Sequence, residues 1–316
     1  MKHNLKITAI LLLMFIVTQF IGLYVINHYS SMKVVDGNVV NVSAPNLPFG
    51  LQPPKVEKQS DYYGFFTGII IAFVLAILLF FFLKKFKIAF LLRLWFFVVV
   101  AVALSVSFLS FLSPLFKSPL ANYALIISVV IALPLALIKI YKRNFLVHNI
   151  TELFIYPGIA AVFVPILNVY TILGLLVIIS VYDMWAVWHS GIMQKMAKYQ
   201  INQLKIFSGF FVPYMSKQVR QKVKNWKETL SKSQLKRKKI KVNIAILGGG
   251  DVVFPIITAG VMLKTLGLMS AILVIVGAML GLAYLFFFAE KKKFYPAMPF
   301  ITAGIILGIV VSYLVL

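Results

Sequence analysis

The sequence contains no cysteine and few acidic residues. Only eight Asp and Glu residues stand against 31 Lys and Arg, which gives a formal net charge of +23. Without cysteine, disulfides, zinc thiolate sites and cysteine nucleophiles are excluded, and the redox compartment stays open. The His-Glu-x-x-His pattern of zinc enzymes and a Gly-x-Ser-Gly pattern are also missing. The sequence therefore does not indicate hydrolysis by a zinc ion or by a serine nucleophile.

Apolar residues dominate the composition. They make up 61 % of the chain, and the mean hydropathy is +0.97, whereas a soluble domain holds about 45–50 % apolar residues. The positive charge raises the question of nucleic-acid binding, but the bases cluster between apolar runs rather than on one soluble face. We therefore expect no nucleic-acid partner and predict a multi-pass integral protein of the cell membrane, with the lipid bilayer as a partner.

Runs of about 20 apolar residues predict membrane-spanning helices. We expect nine of them, at residues 7–27, 63–83, 88–112, 120–140, 149–166, 169–192, 242–263, 267–289 and 297–316. The fifth is the least regular, because Glu152 and Pro157 interrupt it. The predicted fold class is an all-α polytopic membrane protein.

The distribution of basic residues predicts the orientation. If the N-terminus is cytoplasmic, all but five of the 31 bases fall in cytoplasmic segments, and the exceptions are Lys33, Lys55, Lys58, Lys117 and Lys264. Cytoplasmic loops carry such an excess of bases, so we expect the C-terminus outside. The chain then divides into an N-terminal six-helix half (1–193), a basic cytoplasmic loop (194–241) and a C-terminal three-helix half (242–316).

Two acidic residues lie within apolar runs: Asp183 in IISVYDMWAVW and Asp251 in LGGGDVVFP, whereas the other six are assigned to loops or helix ends. A charged group inside a bilayer costs at least about 2.5–3.5 kcal/mol. Counted along antiparallel helices at about 1.5 Å per residue, both carboxylates lie roughly 15 Å from the cytoplasmic end. Two facing carboxyls in apolar surroundings share one proton. In such a pair, the charged member takes a proton from water while the neutral one hydrogen-bonds a scissile carbonyl.

Two alternative roles for the aspartates stay open. A single intramembrane Asp can simply make a packing hydrogen bond to another helix, although no Lys, Arg or His lies near either Asp to neutralise a depth-matched pair. Paired carboxylates also relay protons or bind a cation. The alternative function is therefore a polytopic transporter or channel.

The residues around Asp251 and at the start of the ninth helix favour the binding of an unwound peptide. Gly248, Gly249 and Gly250 remove side-chain bulk, so that another backbone can approach and the helix can loosen. In KKKFYPAMPFI, Pro296 and Pro299 prevent regular helix and leave backbone donors and acceptors free. Proline at a helix start is common, however, and means little alone.

Three motifs together resemble the YD, GxGD and PALP motifs of the presenilin and signal peptide peptidase family of intramembrane aspartyl proteases. They are Tyr182-Asp183, Gly248 to Asp251, and Pro296 to Pro299, with Met298 where the family usually has Leu. Motif order, nine helices and the long loop between the sixth and seventh also match. A prepilin-peptidase-like enzyme shares GxGD but does not account for the other two motifs.

The presenilin-like resemblance implies site residues and substrates. Asp183 and Asp251 would be the catalytic pair, with no metal or organic cofactor. The substrate site would be lined by Tyr182, Gly248, Gly249, Gly250, Pro296, Ala297, Met298 and Pro299. An N-terminus in the cytoplasm implies transmembrane-helix substrates that span once with their own N-terminus outside, and an archaeal-type presenilin homologue fits this. A homo-oligomer stays open.

One short apolar segment in the loop is too short to span a membrane: IFSGFFVPYMS, residues 206–216. It is either an interfacial anchor or a strand. Its position resembles the family's segment after the sixth helix, beside the active site. On that resemblance, we expect it to order when substrate binds and to pair as a strand with the unwound peptide.

Overall fold

The structure is a computed structural model of the chain. It describes residues 5–35, 38–42, 45–50, 52, 56, 58–83, 89–116, 121–142, 144–189, 206–214, 219, 221, 243–289 and 295–315. Most of the predicted 194–241 loop and the last residues of the sixth predicted span lie outside the described residues.

The described part of the chain contains nine helices that are long and apolar enough to cross a membrane, as predicted. They are α1 Leu5–Tyr29, α2 Gln59–Leu83, α3 Ala89–Leu112, α4 Ala121–Leu137, α5 Phe145–Phe163, α6 Val169–Trp188, α7 Gly249–Leu266, α8 Leu268–Phe288 and α9 Met298–Val315. A π-helical turn, Ile138–Lys142, follows α4. The predicted and observed spans agree because the bilayer sets their length and their composition is uniformly apolar.

The start of the seventh predicted helix is wrong. Asn243–Gly248 forms a strand, β4, and α7 begins only at Gly249. Alternate residues of β4 are buried, which is the period of a strand rather than of a helix. Asp251 therefore lies in the first turn of α7 and not deep along a helix. The glycines between the two elements let the backbone change from extended to helical.

A second strand, β3 Gly209–Tyr214, pairs antiparallel with β4, with Phe211 opposite Ile246. Part of the 206–216 segment is thus a strand, as expected, and its partner in the structure is β4 of the same chain. Ordering by substrate and pairing with a substrate peptide stay predictions. Two further strands were not predicted. They form a hairpin after α1, with β1 Met32–Val35 antiparallel to β2 Asn38–Asn41.

Helix α7 lies at the centre of the bundle, where it packs against α1, α5, α6, α8 and α9. It is the most buried of the nine helices, whereas none of the apolar window of α2 is buried. The central position of α7 brings its first turn, and with it Asp251, into the middle of the helix bundle.

Helices α8 and α9 are in direct backbone contact. A Cβ added at Gly277 would overlap the carbonyl oxygen of Gly304, and a Cβ at Gly304 would overlap that of Gly277. Gly281 and Gly308, one turn further along each helix, make the same kind of contact with backbone atoms of the facing helix. Small residues allow this close approach in membranes, and it fixes the position of the N-terminus of α9.

Candidate active site

Asp251 is held by the first turn of its own helix. Gly248 precedes α7 in an extended conformation, with φ −64° and ψ 147°, and its backbone lies against the Asp251 carboxylate, because a Cβ added at Gly248 would be 3.0 Å from Oδ2. A carboxylate at this position also interacts with the partial positive charge of the helix N-terminus. The strand-to-helix change at the glycines therefore creates the environment of Asp251.

The glycines before Asp251 have different surroundings. A Cβ at Gly249 would lie 2.7 Å from the hydroxyl oxygen of Tyr156 and 2.8 Å from Oγ of Ser208. A Cβ at Gly250 would meet only Phe254 of the same helix, at 3.8 Å. Gly249 thus allows α5 to approach the start of α7 closely, whereas Gly250 is exposed among the described residues.

Asp183 is held by the start of another helix. It projects from α6 and is 7 % exposed. The backbone N–H of Met298 donates to its Oδ2 at 3.1 Å, and the neighbouring N–H of Ala297 also lies near enough to stabilise the carboxylate. The sequence had led us to expect these donors to be free for a substrate, but they bind Asp183. The carboxylate of Asp183 therefore lies at the N-terminus of α9.

The structure brings the two predicted aspartates together. Helices α6 and α7 are in contact, and the charge of Asp183 acts on Asp251. Each carboxylate meets backbone donors at the N-terminus of a helix, α9 for Asp183 and α7 for Asp251. Because helix N-termini stabilise negative charge, the site can hold an anionic pair that shares one proton away from bulk water.

Residues near Asp183 on α6 contact the neighbouring helices α9 and α2. Ser180, less than a turn before Asp183, donates from Oγ to Oγ1 of Thr302 at 2.9 Å and so joins α6 to α9. The Tyr182 ring lies edge-on to Phe73 of α2, with 5.2 Å between the ring centroids. The contact of Tyr182 with substrate stays a prediction.

The PAMP residues differ in burial at the start of α9. Pro296 and Met298 are buried, whereas Ala297 and Pro299 are partly exposed. Pro299 lies in the first helical turn, where its missing N–H leaves no helical hydrogen bond unmade. Their contact with substrate stays a prediction.

Helix α5 carries a polar face that was not predicted from the sequence. Glu152, which was assigned to a helix end, is buried within α5 and forms an ion pair with Lys139, with 2.6 Å between Nζ and Oε1. Nδ1 of His148 lies 3.2 Å from the same Nζ. A signal was present in the sequence, because polar residues at 148, 152 and 156 share one helix face within an apolar segment.

The fold and the site together define a class: a polytopic membrane protein with two aspartates at helix N-termini. The family model described as "Signal-peptide peptidase, presenilin aspartyl protease" matches residues 39–316. The chain belongs to this family of aspartyl proteases, and the predicted resemblance is confirmed.

Two solved structures share the fold. One is described as a presenilin family intramembrane aspartate protease in space group C222. It is 20 % identical, covers 98 % of this chain and 99 % of its own, and has a TM-score of 0.55. A second, in space group P2, is 20 % identical, covers 97 % of each chain and has a TM-score of 0.56. None of the curated proteins compared with the chain matches it. With its family, the protein is an intramembrane aspartyl protease.

Proposed function

We propose that the protein hydrolyses peptide bonds within the transmembrane helices of single-span membrane proteins, with Asp183 and Asp251 as the general acid and base. The observation that carries this proposal is the position of both carboxylates at helix N-termini, close enough to interact, with Asp183 buried and Asp251 partly buried. The ionised carboxylate removes a proton from water. The protonated carboxyl donates to the scissile carbonyl, and the water oxygen attacks its carbon. The tetrahedral intermediate then collapses: the C–N bond breaks, and the carboxyl that took the proton from water transfers it to the leaving nitrogen.

The outer edge of β4 is the proposed binding site for the substrate backbone. Phe211 of β3 directs its N–H and C=O at the Asn149 side chain, at 3.2 and 3.0 Å, and so points them away from β4. In the antiparallel register, the N–H and C=O of the opposite residue, Ile246, then point away from β3. They have no partner among the described residues, and the Ile246 side chain is 45 % exposed.

An unwound substrate segment would satisfy this edge as a third strand. In a bilayer, the N–H and C=O groups freed by unwinding need partners, and strand addition supplies them. A peptide paired with Ile246 continues past Gly248, which contacts Asp251. Gly250, which is exposed among the described residues, has no side chain to obstruct it. The register of the peptide on β4 would then determine which of its peptide bonds lies at the two aspartates.

The orientation of the proposed reaction follows from the distribution of bases. With the N-terminus of the chain in the cytoplasm, the β3–β4 sheet lies at the cytoplasmic ends of the helices. Substrates would be single-span proteins with their N-termini outside.

Purified protein in detergent, incubated with a single-span reporter peptide, tests the proposal. Asp183→Asn and Asp251→Asn should each reduce cleavage by at least about 100-fold, because each removes one partner of the acid–base pair. Asp61→Asn, a change of the same chemistry at a partly exposed position in the first turn of α2, is the matched control and should cleave as wild type does. Mass spectrometry of the products should place the cut inside the reporter's apolar span. Cleavage that persists in either active-site variant would contradict the proposal.

A further inference from the structure

The edge of β3 that faces away from β4 is covered by side chains of α5 rather than by another strand. Asn149 donates from Nδ2 to the carbonyl oxygen of Phe211 at 3.0 Å and accepts from its N–H at 3.2 Å. Two residues earlier, the N–H of Gly209 donates to Oε1 of Glu152 at 3.3 Å. The Gly209 carbonyl lies 2.8 Å from Nε2 of His148.

These hydrogen bonds reproduce the edge of a neighbouring strand. Phe211 and Gly209 are alternate residues, and each has both its backbone groups bound, as in an antiparallel ladder. We call His148, Asn149 and Glu152 the α5 clamp. All three are buried, with 6 %, 6 % and 1 % exposure.

Lys139 balances the charge of the clamp. Its Nζ donates to Glu152 at 2.6 Å and lies 3.2 Å from Nδ1 of His148. Because a lysine ammonium has only donors, Nδ1 accepts and Nε2–H is left to donate to Gly209. Buried ion pairs are weak sources of stability, and their best-attested use is to specify register. An apolar contact would hold β3 against α5 without fixing its register, that is, which β3 residue faces each side chain of α5.

The clamp connects to the active site through the backbone. Gly209, bound by His148 and Glu152, lies opposite Gly248 in the sheet, and Gly248 lies against the Asp251 carboxylate. One turn after Glu152 on α5, the Tyr156 hydroxyl lies against the position of Gly249. The same helix face therefore supports both the strand and the first turn of α7.

We propose that the α5 clamp positions β3 and β4 relative to Asp251 and thereby sets which bond of a substrate is cut. Its members are positioning residues, and this inference rests on the proposed function. If the clamp is loosened, β4 and a peptide paired with it lose a fixed position, although both aspartates keep their own helix contacts. Cleavage should then spread over neighbouring bonds.

The test uses the full chain with Asn149→Leu, which keeps the side-chain volume, and Asn149→Ser, which is too short to bind both groups. Ile150→Ala, at the 51 % exposed neighbouring position on α5, is the matched control. Two measurements are made: the products and kinetics of reporter cleavage, and amide hydrogen exchange of Gly209–Tyr214 and Asn243–Gly248. The exchange measurement does not depend on activity.

Both Asn149 variants should exchange about tenfold faster in the two strands, because one hydrogen bond changes an equilibrium by roughly that factor. Exchange in α9 should not change. New products should appear at bonds beside the wild-type cut, and kcat/KM should fall about tenfold. The Ile150→Ala variant should resemble wild type in each respect.

Several results would overturn the inference. Unchanged exchange in β3 and β4 means that the amide does not hold the strands. Faster exchange with the wild-type product distribution means that strand position does not set the cut. Loss of the folded helical protein in both variants means that Asn149 is structural. If wild-type protein cleaves no reporter, the proposed function fails first and the cut-site claim falls with it, while exchange still decides whether the clamp holds β3.

Discussion

Replacing Gly249 by alanine tests whether the start of α7 is as closely packed as the structure shows. The added methyl would lie 2.7 Å from the Tyr156 hydroxyl and 2.8 Å from Oγ of Ser208. Both distances are shorter than van der Waals contact, and the Tyr156 side chain is buried, so it has little room to move aside. Overpacking of this kind costs about 1–3 kcal/mol. Gly249→Ala should therefore unfold at lower temperature than wild type.

Gly250→Ala is the matched control. Its methyl would meet nothing nearer than Phe254 at 3.8 Å, and alanine favours helix over glycine by about 1 kcal/mol. Its stability should equal or exceed that of wild type. Thermal unfolding followed by circular dichroism measures both variants.

A double variant identifies the cause of the lower stability expected for Gly249→Ala. Tyr156→Phe removes the atom nearest to the new methyl, so Gly249→Ala with Tyr156→Phe should recover part of the lost stability relative to Tyr156→Phe alone. The reasoning is refuted if Gly249→Ala and Gly250→Ala are equally stable, or if the double variant shows no coupling.

Other predictions concern contacts around the site. Met298→Pro places a residue suited to the first helical turn but removes the N–H that donates to Asp183. Reporter cleavage should therefore fall about 100-fold. Met298→Leu keeps this N–H and should retain activity. Lys264→Met leaves the carbonyls of Val164 and Leu167 without the Nζ that lies 2.7 and 2.6 Å away, so the free energy of unfolding should fall by about 1–3 kcal/mol in denaturant titrations. Gly304→Val should separate α8 from α9 and lower both stability and activity, because its side chain overlaps the Gly277 carbonyl. Gly64→Val on α2, with nothing within 4 Å, is its control.

The nine helices could be predicted because their length and apolar composition are set by the bilayer. The start of α7 could not, because an apolar run bounded by glycines is compatible with either a strand or a helix by periodicity alone. Pairing with β3 decides the question in favour of a strand. Which residues pair across two segments distant in sequence depends on tertiary packing, so neither segment alone reveals the pairing.

The aspartates themselves could be predicted, since carboxylates in apolar runs are costly and few. Their partners could not. The donors from Ala297 and Met298 reach Asp183 only because α9 starts beside α6. Glu152 was assigned to a helix end because the predicted fifth span began at residue 149, whereas α5 begins at Phe145. Its partner Lys139 lies in the turn after another helix. An ion pair between two helices has no signature in the spacing of either one.

Parallel measurement of cleavage and ion flux tests the central claim most directly. Wild type, Asp183→Asn and Asp251→Asn are reconstituted in the same vesicles with a single-span reporter and an internal pH dye. The account predicts cleavage within the span by wild type, its loss in both variants, and the same proton leak in all three. Proton flux by wild type that both variants lose, without cleavage of the reporter, would contradict it and favour an aspartate-pair transporter.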